Sequence, residues 1–129
     1  MSKFHIKKIS EINKNKLFKF YQNSFKYNNN HPDIYNWRYR SEFKNFEPLV
    51  LEIDGEICGH AGLIANDFKI KDKIKTGIWF TDFYVKEKYR SLGYGNLLTK
   101  AWMKICPIQI TLCNEISLKI FKKMNWSYN

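Results

Sequence analysis

The chain has 129 residues, 44% of them hydrophobic and 17% aromatic, and carries a formal net charge of +10. That is one domain's length, too apolar for disorder, and its short apolar runs exclude a membrane helix, which needs about 18 residues. Of the 22 basic residues 19 are Lys and 3 are Arg, so the charge favours anionic, phosphorylated ligands over nucleic acid, whose readers lean on bidentate Arg.

Residues 3–9 predict a first strand. A helix follows over 11–27, with Leu17, Phe18, Tyr21 and Phe25 along one helical stripe. Asn28 to Pro32 breaks it, and residues 34–43 read as a short helix or turn. Residues 49–53 and 57–64 predict two strands joined at Asp54-Gly55, a hairpin signal because Gly takes positive φ freely. Lys at alternate positions over 68–78 predicts an exposed hairpin. Residues 78–85 are nearly all apolar or aromatic, the pattern of a strand covered on both faces. A helix over 94–105, a strand over 107–112 and a helix over 115–124 complete the order. The layout is mixed α/β (α+β) in a single domain over 1–129.

Cys58, Cys106 and Cys113 make no Cys-x-x-Cys pair, and His5, His31 and His60 have no metal-ligand spacing. The expectation is free thiols in a reducing, cytoplasmic compartment, and no metal. Residues 1–10 lack the apolar stretch of a secretory signal.

The segment that carries chemistry runs from Phe83-Tyr84-Val85 through Tyr89-Arg90-Ser91-Leu92-Gly93-Tyr94-Gly95-Asn96 to Leu97-Leu98. A strand enters a basic turn, then two glycines, then a helix. The first turn of a helix presents unpaired N–H groups and the positive end of its dipole. Glycines let an anion approach that backbone, and Arg90 adds a charge-assisted partner. The chemistry is phosphate or pyrophosphate binding. A Walker A loop is absent, and a dinucleotide fingerprint lacks its third glycine at Leu98.

The R-x-x-G-x-G of Arg90 to Gly95 resembles the acyl-CoA motif of the GNAT superfamily of N-acyltransferases. The segment Asn114-Glu115-Ile116-Ser117 to Phe121, then Lys123-Met124-Asn125-Trp126, is similar to that family's later helix. Phe121 stands where the family often has a Tyr that protonates the leaving thiolate, and Asn125 stands where it has Gly. The resemblance implies a mostly antiparallel central sheet flanked by helices, here without the family's last two strands. It implies an exposed sheet edge and hence a homodimer.

Further expectations come from the resemblance. Acetyl-CoA would be the co-substrate, its pyrophosphate on the backbone N–H groups of Ser91, Leu92, Gly93, Tyr94, Gly95 and Asn96. Phe83, Tyr84 and Val85 would pair with the pantetheine arm, Asn114 would steady it, and Phe121 would line it. A strand N–H would polarise the acetyl carbonyl. Asp82, the one carboxylate in the apolar run, would be the base with a pKa raised by burial, or else a structural acceptor. Tyr128, Tyr84 or Cys113 would be the acid. Trp37, Arg38 and Tyr39 would wall the acceptor site or simply pack the core. The acceptor would be a primary amine of a small molecule or amino sugar. The alternative is a non-catalytic acyl-CoA-binding domain or subunit.

Overall fold

The computed structural model describes residues 3–25, 35, 38, 39 and 46–127, the side chains of residues 116 and 117 excepted. Five strands make one sheet in sequence order: β1 Phe4–Lys8, β2 Leu49–Ile53, β3 Glu56–Ile70, β4 Lys73–Val85 and β5 Gln109–Thr111. All neighbours are antiparallel except β4 and β5, which are parallel. Among the described residues, helices α1 Lys14–Ser24, α2 Tyr94–Met103 and α3 Glu115–Lys123 accompany them, and residues 35 and 38 are also helical.

Alternation along the strands sends side chains to two cores. Leu49, Leu51 and Ile53 join Leu63, Ile78, Phe80, Leu98, Trp102 and Phe121 on the α2 and α3 face. Val50 and Ile57 join Leu17, Phe20, Tyr21, Phe25, Tyr35 and Tyr39 on the α1 face. Both faces of the sheet are thus covered.

The helix expected over 11–27 is shorter. Asn13 caps it, its side chain accepting from the N–H groups of Asn15 at 2.9 Å and Lys16 at 3.2 Å, which fixes the start at Lys14. Phe20, rather than Phe18, is buried with Leu17 and Tyr21. The Asp54-Gly55 turn forms as expected, with φ of 50° and 82°. The second hairpin is longer than its lysine pattern implied. It is the whole of β3 and β4, turned at Lys71-Asp72 with φ of 47° and 64°. Residues 78–85 are not covered on both faces along their length: Ile78 and Phe80 are buried, while Thr81 to Tyr84 are half-buried because a cleft opens beside them.

Candidate active site

The cleft begins where β4 loses a neighbour. β5 pairs with β4 only from Ile78 to Phe80. Beyond that point β4 continues to Val85 without β5, and a space of about 450 Å³ opens beside it. Trp79, Thr81, Asp82, Phe83 and Tyr84 line it from β4, Trp102 from α2, Thr111 from β5, Asn114 from the connection that follows and Phe121 from α3. Trp102 stacks on Phe80 at 3.4 Å and on Phe83 at 5.5 Å between ring centres. Its indole nitrogen is buried with no hydrogen-bond partner among the described residues, although such a group in a protein interior is normally paired.

Asp82 lies where β4 bulges. Gly62 pairs with Thr81 and His60 with Tyr84, so Asp82 and Phe83 together face one residue, Ala61. Its φ is +49°, a conformation that Asp tolerates better than most residues. The carboxylate Oδ2 accepts from Arg38 Nη1 at 2.5 Å and from the Tyr39 hydroxyl. Asp82 is therefore ion-paired, not the isolated carboxylate that the apolar run suggested. Gly62 makes this approach feasible, because a Cβ there would collide with Tyr39 Oη and the Thr81 carbonyl.

His60 supports the bulge from β3. It has no exposed surface, and burial lowers its pKa to about 4, so the ring is neutral at pH 7. A carbonyl can only accept, so Nδ1 carries the hydrogen and donates to the Asp82 carbonyl at 2.8 Å. Nε2 then accepts from the Tyr21 hydroxyl at 3.0 Å. Burial, and next the charge of Asp82, push the Tyr21 and Tyr39 phenols well above their ordinary range; both stay protonated as donors.

The glycine loop follows β4 directly. After a turn at Glu87–Tyr89, Ser91 and Gly93 take φ of +63° and +88°, and Gly93 caps α2. A Cβ at Gly93 would meet nothing within 4 Å, so it borders open space at a helix N-terminus, as an anion seat requires. At Gly95 a Cβ would make only ordinary contact with Val85 and Phe83. Arg90 turns back: its Nε donates to the Val85 carbonyl at 2.7 Å and its guanidinium lies 5.6 Å from the centre of the Tyr84 ring. It braces the loop. The Tyr94 side chain is buried against Phe4 and Tyr89, whereas Leu92 and Asn96 are exposed.

The structure brings together Asp82, Phe83, Tyr84, Asn114 and Phe121 on one cleft, and Val85 through Asn96 follow in the chain without lining it. Asn125 takes φ of +63°, and the Trp126 and Asn125 N–H groups close back on Phe121 and Lys122 carbonyls, a left-handed helix end of the kind that Gly usually makes. Cys58 and Cys106 are buried and Cys113 is exposed, all three free. Tyr35 and Tyr39 are buried, so they pack the core instead of walling an open site. Trp37 and Tyr128 lie outside the described residues. Sequence reasoning missed His60 and the Arg38 partner of Asp82. A histidine inside the apolar stretch 57–64 was the available signal for the first; no local pattern links Arg38 to a strand 44 residues away. Among the described residues no group of His, Cys, Asp and Glu could hold a metal ion, and no helix is long and apolar enough to cross a membrane.

The family described as Acetyltransferase (GNAT) family matches residues 14–126. Among solved structures, glucosamine-6-phosphate N-acetyltransferase from Arabidopsis thaliana superposes with a TM-score of 0.76 at 18% identity, covering 98% of this chain and 93% of its own. An aminoglycoside acetyltransferase from an uncultured soil metagenomic sample gives 0.67 at 16%, over 100% and 93%. A predicted acetyltransferase from Clostridium acetobutylicum, solved with acetyl-CoA, gives 0.67 at 13%, over 100% and 92%. No curated protein matches the sequence.

Proposed function

Because the chain belongs to the Acetyltransferase (GNAT) family, we propose that it transfers an acetyl group from acetyl-CoA to a primary amine of a small molecule or amino sugar, the amine attacking directly. The observation that carries this is the glycine loop: directly after β4, which lines the cleft, Gly93 opens a helix N-terminus onto free space. When bound, acetyl-CoA supplies an activated acyl thioester. The chain's part is to seat and orient it. Backbone N–H groups of Ser91 to Asn96 take the pyrophosphate, and Phe83, Tyr84, Val85, Asn114 and Phe121 flank the pantetheine arm. The Phe83 N–H faces the developing oxyanion.

Asp82 accepts the proton of the amine. Both of its described bonds fall on Oδ2, which leaves Oδ1 for that work. Phe121 has no hydroxyl, so the departing thiolate takes its proton from Tyr84, which lines the cleft, or from Tyr128. Two of the solved relatives act on sugars that bear amines, which supports the acceptor class. Free thiols support a reducing, cytoplasmic setting. Phe121 favours one second reading, a domain that binds acyl-CoA without turnover.

Calorimetric titration with CoA and acetyl-CoA tests the proposal. Micromolar or tighter binding (about −8 kcal/mol) is expected, and Gly93→Glu should abolish it, since a carboxylate would occupy the pyrophosphate seat, whereas Gly93→Asn, which bears the same backbone strain at φ +88° without the charge, should bind more tightly than Gly93→Glu. Unchanged affinity in Gly93→Glu would remove the argument. Thiol release on an amine panel then separates enzyme from binder.

A further inference from the structure

Asp82 and Phe83 face the single residue Ala61, and Asp82 holds φ at +49°. A bulge takes a carbonyl out of the ladder, and a buried carbonyl left without a donor is costly. Here the donor is a side chain, the His60 Nδ1–H, at 2.8 Å. The ring is held in place. Its Nε2 takes the Tyr21 hydroxyl, and Phe20, Tyr21, Phe25 and Tyr39 surround it with ring centres 5.3 to 6.1 Å away.

The Asp82 carbonyl and the Phe83 N–H belong to one peptide unit. The described chain has no cis bond, so the two groups of that planar unit point in opposite directions. Fixing the carbonyl on His60, inside the aromatic cluster, fixes the Phe83 N–H on the side away from that cluster. Phe83 lines the cleft, on the stretch of β4 beyond Phe80 that β5 does not pair. The ion pair with Arg38 and the Tyr39 bond hold the side chain of the same residue. Asp82 cannot rotate out of the bulge without breaking both sets of contacts.

We propose that His60 is a positioning residue whose Nδ1–H aims the Phe83 N–H at the acyl carbonyl in the cleft. This rests on the acetyl-CoA reading and adds to it a residue of β3 that touches neither ligand. A donor aimed beforehand needs no reorganisation as negative charge gathers on the carbonyl oxygen.

Wild type, His60→Leu and His60→Asn test it. Leu removes the donor at similar bulk, and Asn returns an N–H near the place of Nδ1. Each is titrated with CoA, then with acetyl-CoA labelled at the carbonyl carbon and followed by NMR. The wild-type chain should move the bound carbonyl resonance downfield. His60→Leu should keep its CoA affinity and lose that shift, and His60→Asn should recover it. A shift retained in His60→Leu, lost in both variants, or absent from wild type bound to acetyl-CoA overturns the proposal and leaves the CoA reading standing. A wild-type chain that binds no CoA overturns both. If His60→Leu does not fold, nitrogen NMR of the wild-type ring decides: the Nδ1–H form is required, and the Nε2–H form overturns the proposal.

Discussion

Asp82 combines a positive φ, a bulged position and an ion pair. Positive φ in a non-glycine residue costs on the order of 1 kcal/mol and persists where surrounding contacts over-determine it. Those contacts are His60 at the carbonyl and Arg38 with Tyr39 at the carboxylate. Asp82→Asn keeps a residue that tolerates this conformation and removes the proposed proton acceptor. It should lower kcat by about 10²- to 10⁴-fold and leave the CoA Kd unchanged. Thiol-release kinetics beside calorimetry read the two separately, and a wild-type rate would assign Asp82 to structure alone. The carboxylate was legible in the sequence because it interrupts an apolar run. Its partner was not, since Arg38 lies far away in the chain and the pairing is tertiary.

At the scale of elements, turns and caps decided how well the order could be read. Asp54-Gly55 announces its hairpin through glycine, whereas Lys71-Asp72 makes the same kind of turn without one. The sequence therefore suggested three pieces, a strand, a short hairpin and a strand, where one long hairpin of β3 and β4 exists. The end of α3 was legible from the opposite direction, through an Asn that can replace Gly. With φ at +63°, Asn125→Ala should destabilise the fold by about 1 kcal/mol, and Asn125→Gly should be close to neutral. Urea unfolding midpoints of the two variants check this; equal midpoints would show that the αL position carries no strain.

Acid should weaken the molecule as a whole. His60 is neutral when folded, with a pKa of about 4 imposed by burial, against about 6.5 when unfolded. Between those values the unfolded chain takes up a proton that the folded chain excludes. Stability is therefore full above about pH 6.5 and falls as the pH drops toward 4, by about 3 kcal/mol in all. Lys16 and Lys7 hold the Glu52 carboxyl below its ordinary range, and Lys86 does the same for Glu56, so both add losses of the same sign at more acidic pH. Unfolding midpoints at pH 7, 5.5 and 4.5 should fall in order, and the fall should be shallower in His60→Asn. An equal slope in that variant would place the acid sensitivity elsewhere.

By itself the sequence determined the order of elements, the Asp54-Gly55 turn and the glycine turn that opens a helix at Gly93, because these follow from local φ preferences, periodicity and helix-end chemistry over a few residues. Only the tertiary structure decided that β5 stops pairing at Phe80, that β4 bulges at Asp82, and that His60, Tyr21, Arg38 and Tyr39 converge there. Those features depend on which distant residues share a buried space. Strand register and the need to satisfy each buried polar group set that relation, and neither is written in any short stretch of chain.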